Sequence, residues 1–209
     1  MRYERKYKIE DLTLDLVHQI IQNHPASFSK IFPDRKVNNI YFDTPSLTTY
    51  SDNVKGIGER RKFRVRWYGT KENTKQKNNF EIKIKENELG RKEVHPFPNF
   101  ELKNWRQTGK LVSQLTGKGL ALNPVLMNAY HRSYYGTRDG KFRITIDSDL
   151  KYYPLIHGGS QLHYNLRDEG IIVEVKYEEA IHDERERVLP YLPFRLSKSS
   201  KYVTGMIMR

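Results

Sequence analysis

Short segments in which charged and large apolar residues alternate constrain the fold of this chain more than any other feature. They span residues 62–67 (KFRVRW), 80–85 (FEIKIK), 142–147 (FRITID) and 173–177 (VEVKY). A period of two is typical of a β-strand, because successive side chains point to opposite faces of the ribbon. One face of each predicted strand is therefore apolar, while the other carries cations and, in three of the four, a carboxylate. We expect these polar faces to converge on a common charged ligand.

The charge balance narrows the class of ligand. The chain of 209 residues carries a formal net charge of +12, which favours anionic partners such as nucleic acid, phosphorylated small molecules or an anionic membrane surface. It has no cysteine, which excludes disulfides, thiolate metal sites and a cysteine nucleophile and suits a cytoplasmic protein. The charged N-terminus lacks the apolar core of a signal peptide, and no segment approaches the roughly 18 apolar residues of a membrane span.

The order of predicted elements indicates one domain over residues 1–209, since neither a linker nor an internal repeat divides the chain. Strands are predicted at Tyr3–Ile9, Asn39–Phe42 and Val125–Tyr135, among others, and a helix at Leu12–His24, just before Pro25. The turn Asp43-Thr44-Pro45-Ser46 could cap a short helix. The strand count is about eight, and turns join most neighbours. This arrangement favours a mainly antiparallel sheet that closes on itself, in the α+β class.

The cations of one strand have the geometry of a phosphate site. Lys62, Arg64 and Arg66 lie on one face at every second position, and neighbouring guanidinium groups can bind phosphate oxygens bidentately. The alternative is a basic face exposed to solvent.

Carboxylates recur beside these cations, as in Glu174 with Lys176 and Glu4 with Lys6. Such oxygen ligands suit a hard metal ion, Mg²⁺ or Mn²⁺, although Glu174 could instead pair with a neighbouring cation to balance charge. The sequence has neither a P-loop nor a Rossmann glycine turn, so a bound nucleotide must be held by side chains on strands.

Taken in order, these elements resemble the catalytic domain of the vacuolar transporter chaperone (VTC) family, a branch of the triphosphate tunnel metalloenzymes alongside the CYTH proteins. The resemblance covers nearly the whole chain and implies a closed antiparallel β-barrel of about eight strands, with helices packed outside and the active site in its lumen. The motifs that carry it are Glu4-Arg5-Lys6-Tyr7, Tyr41-Phe42-Asp43-Thr44-Pro45, residues 62–69, Glu81-Ile82-Lys83, Tyr130-His131-Arg132, residues 143–147, Glu174-Val175-Lys176 and residues 200–205.

The resemblance also implies roles for individual residues. Glu174 would ligate the metal, Mn²⁺ or Mg²⁺. The residues implied to be catalytic are Arg64, Arg66, Arg132, Arg143 and Lys201. Those implied to bind phosphate are Lys6, Lys83, Lys92, Tyr130 and Ser200. Lys62 is added because it lies on the same strand face as Arg64 and Arg66.

The implied activity is transfer of the γ-phosphoryl group of ATP to a growing polyphosphate chain. Tunnel enzymes that hydrolyse tripolyphosphate begin with Glu-x-Glu-x-Lys, whereas this chain reads Glu4-Arg5-Lys6-Tyr7-Lys8, with a lysine in place of the second glutamate. A cation there binds phosphate instead of metal, which weakens the case for a second metal that would activate water. A polymerase is therefore favoured over a tripolyphosphatase or nucleoside triphosphatase.

A third alternative is a binding module for polyphosphate or nucleic acid without turnover. Nucleic-acid surfaces interleave aromatic residues with cations, whereas here the aromatics are predicted on the face opposite the cations, so we expect no nucleic acid as a partner. No base-specific pocket is visible, which predicts tolerance between ATP and GTP. Eukaryotic members of the family carry an SPX domain and a membrane anchor, and we expect this chain to have neither.

Overall fold

A computed structural model describes residues 1–72, 74–75, 77–102, 104–117, 119–155 and 165–209. Its strands are β1 (Arg2–Ile9), β2 (Ser29–Asp43), β3 (Glu59–Tyr68), β4 (Asn78–Glu86), β5 (Leu89–Phe97), β6 (Asn123–Gly136), β7 (Phe142–Pro154), β8 (Leu166–Asp168) and β9 (Ile171–Glu178). Its helices are α1 (Leu14–Gln22), α2 (Thr48–Lys55), α3 (Trp105–Leu115) and α4 (Lys201–Ile207), and 3₁₀ segments span Glu179–Arg187 and Leu189–Tyr191. Among these helices, none is long and apolar enough to cross a membrane.

The strands form one antiparallel sheet in the order β6-β2-β3-β4-β5-β1-β9-β7-β8. A further pairing of β6 with β7 joins the two sides, so that eight strands make a closed ring and β8 extends it outside. The prediction of an α+β fold with a closed antiparallel sheet of about eight strands is confirmed.

Alternation along the strands separates an outer from an inner face. On β3, Phe63, Val65 and Trp67 point outward into an apolar cluster beneath α3, which contributes Val112. A second outer cluster lies beneath α1, where Val17 packs with side chains of β7 and β9. These two clusters confirm helices packed outside the ring.

The last helix differs, because it packs against the inward face and fills one end of the ring. Tyr202 and Met206 of α4 contact the same apolar cluster as Leu126 and Tyr152. An ideal Cβ on Gly205 would lie 2.5 Å from side-chain atoms of both Leu126 and Tyr152, so only glycine permits this approach. The ring is therefore closed at this end by apolar packing.

One buried carboxylate anchors α4 and α2 to the end of β2. Asp43 accepts hydrogen bonds from the backbone N–H groups of Thr49 and Tyr50 in the first turn of α2. The hydroxyl of Tyr202 donates to the same carboxylate at 2.5 Å. The predicted turn at Asp43 thus caps α2 and also fixes α4, here called the plug, at the end of the ring.

Candidate active site

The inward face of the ring encloses a cavity of about 440 Å³, here called the central cavity. Its other end is open, since Arg2, Arg91 and Glu178 at the ends of their strands line it and are exposed. Among the described residues, eleven basic and three acidic side chains line it. They are Arg2, Lys6, Lys62, Arg64, Arg66, Lys83, Arg91, Lys92, Arg132, Lys176 and Lys201, with Glu4, Glu174 and Glu178.

Glu81 organises the cations of β3 and β5. Its carboxylate is buried and accepts from Arg64 Nε at 2.6 Å and from Lys92 Nζ at 2.8 Å, and Arg66 approaches within 3.8 Å. Burial opposes its ionisation, but the charges of Arg64, Arg66 and Lys92 together outweigh burial and hold the pKa of Glu81 far below its usual value. Glu81 therefore fixes the guanidinium groups without neutralising all three cations.

Asp147 plays the same part on the opposite wall. This fully buried carboxylate accepts two parallel hydrogen bonds from Arg132, from Nε at 2.5 Å and from a terminal nitrogen at 2.7 Å. Lys201 Nζ donates to it at 2.5 Å. Arg132 and Lys201 outweigh the cost of burial and lower the pKa of Asp147 to about 2. One carboxylate again serves more than one cation, which leaves surplus positive charge toward the cavity.

Tyr130 lies between these two groups. Arg66 donates to its hydroxyl at 3.1 Å and to Asn39 Oδ1 at 2.8 Å, so the guanidinium is held from two sides. The guanidinium of Arg132 and the ammonium of Lys201 lie 5.3 and 4.8 Å from the Tyr130 ring centre. Burial alone would raise the pKa of Tyr130, but Arg132 and Arg66 lower it to about 8. The hydroxyl thus lies in a strongly positive environment.

Glu174 and Glu4 are two further carboxylates that line the cavity. Lys6 and Lys176 approach Glu174 at 3.6 and 3.2 Å, and Lys83 pairs with Glu4 at 2.5 Å. Burial disfavours the charge on Glu174, yet Lys176 and Lys6 hold its pKa well below the usual value. Both carboxylates are therefore anionic at neutral pH.

Lys62 differs from the other cavity lysines, because no carboxylate among the described residues forms an ion pair with it. Its ammonium donates to Ser200 Oγ at 2.8 Å, and Ser200 also caps α4. Burial, reinforced by the charges of Lys6 and Lys83, pushes the pKa of Lys62 well below its usual value. An anion entering the cavity would relieve this repulsion.

Eleven of the twelve predicted site residues line the central cavity. Arg143 is the exception: it is exposed on β7 and does not belong to the described lining, although its strand neighbour Lys176 does. The lining residues that sequence reasoning left out of the site include Glu4 and Lys176, which the period-two pattern could have identified. Tyr41 and Tyr202 gave no such signal, because their position depends on how α4 packs.

The expected separation of aromatics from cations is wrong for one wall of the ring. Phe63 and Trp67 do point outward, but Tyr41 and Tyr130 line the cavity among the cations. Tyr41 stacks on Tyr202 with ring centres 5.1 Å apart, which joins the cavity wall to the plug. The reason is that α4 supplies an apolar surface inside the ring, against which tyrosine rings can pack.

The carboxylates fit a divalent metal that is shared with a bound phosphate chain. Within the described residues, no three His, Asp or Glu side chains are arranged to hold a metal by themselves. Glu4 and Glu174 are close enough for their charges to interact. Mg²⁺ is commonly held by one or two carboxylates together with substrate phosphates, so this pair suits such an ion.

Comparisons with known proteins agree with this architecture. An adenylate-cyclase candidate from Vibrio parahaemolyticus has a TM-score of 0.55 at 14% identity, over 97% of this chain and 98% of that one. PH1819 from Pyrococcus horikoshii has a TM-score of 0.52 at 13% identity, over 98% and 96%. HpAC1 from Hippeastrum, an adenylyl-cyclase candidate described as having a dominant triphosphatase activity, has a TM-score of 0.51 at 13% identity, over 100% and 97%.

These similarities show that the chain shares the fold of these proteins, the triphosphate tunnel fold that the sequence predicted. Comparison with curated proteins finds no match. The family model of the VTC domain matches residues 1–208, nearly the whole chain. The chain therefore belongs to the VTC domain family.

Proposed function

We propose that this protein is a polyphosphate polymerase that transfers the γ-phosphoryl group of ATP to a growing polyphosphate chain and depends on Mn²⁺ or Mg²⁺. The observation that carries the proposal is the surplus of cations in the central cavity, eleven basic against three acidic lining side chains among the described residues. Such a cavity suits a linear polyanion, and membership of the VTC family points to the same class of substrate.

The two cation groups would hold neighbouring phosphates of the bound chain from opposite walls. Arg64, Arg66 and Lys92 would bind one phosphate, and Arg132 with Lys201 would bind the next. Because Glu81 and Asp147 already fix these side chains, little reorganisation is needed when substrate enters. Phosphoryl transfer depends mainly on such positioning and on neutralisation of charge.

The chemical step needs no general base. A terminal phosphate oxygen of the acceptor, already ionised at neutral pH, forms a bond to the γ-phosphorus. The bond between that phosphorus and the β,γ-bridging oxygen breaks, and ADP leaves with the electron pair. Glu174, with Glu4 beside it, would hold the divalent metal, which when bound offsets negative charge on the transferred group.

Lys6 favours transfer to phosphate over transfer to water. Its ammonium lies 3.6 Å from Glu174, at the position where a hydrolase of this fold would carry a second carboxylate. A cation at this point disfavours a second metal next to Glu174, and with it a metal-activated water.

A triphosphatase acting in the same cavity is the second candidate. It is favoured by the fold similarity to the Hippeastrum protein, which is described as having a dominant triphosphatase activity. A polyphosphate-binding module without turnover would use the same cations.

The test is incubation of the pure protein with ATP and Mn²⁺, with and without a short polyphosphate primer. Products are resolved on a gel stained for polyphosphate, and free phosphate is assayed in parallel. We expect long chains from the wild type and from Lys55→Ala, an exposed cation on α2. We expect no chains from Arg64→Ala or Arg132→Ala, provided that circular dichroism confirms folded variants.

Free phosphate without chains would identify a triphosphatase instead. Tight binding of tripolyphosphate with neither product would leave a binding module. Chains made by both arginine variants would contradict the assignment of the site.

A further inference from the structure

A cluster of aromatic rings surrounds Arg35 beyond the cations of the central cavity. The guanidinium carbon of Arg35 lies 5.6 Å from the ring centre of Phe32, 5.4 Å from that of Tyr68 and 5.8 Å from that of Tyr134. We call these four residues the aromatic rim. Ring faces are negative, so each of the three rings attracts the guanidinium.

The aromatic rim continues the wall of the central cavity. Tyr68 follows Arg66 by two positions on β3, and Tyr134 follows Arg132 by two positions on β6, so each tyrosine shares a face with a cavity arginine. Arg35 of β2 pairs directly with Arg132 of β6. The charges of Arg132 and Arg66 act on the Tyr134 hydroxyl, which places it near both arginines.

The aromatic rim is accessible to solvent, and no described carboxylate neutralises its arginine. Arg35 is exposed and forms no ion pair with a carboxylate of the described residues. Phe32 is 47% exposed to solvent. The rings of Phe32 and Tyr134 are nearly perpendicular, with ring centres 5.8 Å apart, so they do not stack face to face. An open surface of rings and guanidinium therefore adjoins a cavity built for phosphates.

We propose that the aromatic rim binds the nucleobase of a nucleoside triphosphate whose phosphates lie in the central cavity. This inference rests on the proposed function, because it names how the same site takes its nucleotide. A base stacks on exposed aromatic rings and on guanidinium planes through its π-face. Two residues along a strand span about 7 Å, so a ribose would bridge Arg132 and the ring of Tyr134.

Stacking of this kind recognises the presence of a base and not its identity, since every base has a π-face. The aromatic rim therefore separates nucleoside triphosphates from inorganic tripolyphosphate, and it accepts ATP and GTP alike. With the base at the open side, the α-phosphate lies near Arg66 and Arg132, and the γ-phosphate lies deeper, toward Glu174.

The test compares ATP with inorganic tripolyphosphate by titration calorimetry, in EDTA so that metal-dependent turnover is stopped. In Phe32→Ala we expect Kd for ATP and for GTP to rise about five- to tenfold, and Kd for tripolyphosphate to stay within about twofold. Phe32→Trp keeps a ring and should bind ATP as the wild type does. Tyr191→Ala, which removes an aromatic side chain 56% exposed outside the cavity, should change neither ligand.

Equal weakening of both ligands in Phe32→Ala, or unchanged ATP affinity, would overturn the proposal. Because the readout is equilibrium binding, it is independent of catalysis. The two proposals can therefore fail separately. If the wild type made no polyphosphate but Phe32→Ala still lost its preference for ATP over tripolyphosphate, the polymerase proposal would be refuted and the nucleobase site would be supported.

Discussion

Lys6 and Glu174 face each other across β1 and β9, with ammonium and carboxylate 3.6 Å apart in the central cavity. Lys6 Nζ also donates to the backbone carbonyl of Ser199 at 3.0 Å, which fixes its position. Burial opposes its charge, but Glu174 and Glu4 outweigh burial and raise the pKa of Lys6 above its usual value. A permanent cation therefore stands beside the carboxylate that is proposed to hold metal.

Replacing this cation by a carboxylate should change what the site binds and makes. In Lys6→Glu, two carboxylates would face each other, and their repulsion is relieved by a divalent ion. We expect tighter Mn²⁺ binding, fewer polyphosphate chains from ATP, and more free phosphate from tripolyphosphate. Manganese titration and the two product assays measure these changes. Lys6→Gln is the matched control, since it removes the cation without adding a ligand; equal Mn²⁺ binding by both variants would contradict the prediction.

Affinity for tripolyphosphate should fall as pH rises through about 8. Burial lowers the pKa of Lys83 to about 8 in spite of its pairing with Glu4, and Tyr130 also has a pKa of about 8. Above this pH, Lys83 loses its positive charge and Tyr130 gains a negative one, and both changes disfavour a bound polyanion. Titrations from pH 7 to 9.5 measure the effect. Lys83→Arg combined with Tyr130→Phe should make the profile shallower, because neither replacement titrates in this range.

The stability of the ligand-free protein should change in the opposite direction. The folded-state pKa values of Lys83 and Tyr130 lie below their usual values near 10, so the folded protein releases these protons first. The unfolded chain then binds more protons between about pH 8 and 10, and the free energy of unfolding rises with pH. Urea denaturation at pH 7.5 and 9.5 checks the sign. A fall in stability over this interval would show that the two groups do not titrate as their surroundings indicate.

The sequence predicts which face of a strand a residue occupies better than it predicts how deep in the cavity that residue lies. Alternation correctly assigns Arg64 to the inner face and Phe63 to the outer one, because one charged face per strand must avoid the apolar cluster. The same alternation places Arg143 on the inward side of β7, yet this residue lies near the strand end and is exposed. Depth depends on how far each strand is shifted against its neighbours, and a period of two carries no information on that shift.

Two elements were beyond what local pattern could predict. The sequence predicts a strand only at Asn39–Phe42, whereas β2 begins at Ser29. The first half of β2 is exposed and has no apolar periodicity, and pairing with β6 holds it in the sheet. The helix α4 lies in a segment that reads as a Ser- and Lys-rich tail. It is only seven residues long, and its stability comes from the Ser200 cap and from packing inside the ring.

Asp147 should contribute strongly to stability because it pairs with two cations, the buried Arg132 and the half-buried Lys201. In Asp147→Asn, Arg132 and Lys201 lose their common carboxylate, and a loss of about 3–5 kcal/mol in the free energy of unfolding is expected. Tripolyphosphate should stabilise this variant more than the wild type, because the ligand supplies the missing negative charge. Urea denaturation with and without ligand measures both effects. Asp149→Asn, an exposed carboxylate paired with Lys151, should cost no more than about 0.5 kcal/mol.

Gly205 is where the plug formed by α4 most closely approaches the ring. Since an added Cβ would lie 2.5 Å from Leu126 and Tyr152, both buried, Gly205→Ala forces one of these side chains or the helix to move. We expect a loss of about 1–3 kcal/mol in the free energy of unfolding. Gly90→Ala is the control for stability alone, because its Cβ would meet nothing closer than 3.8 Å. If the two variants were equally stable in urea denaturation, α4 would not be packed inside the ring as tightly as this geometry requires.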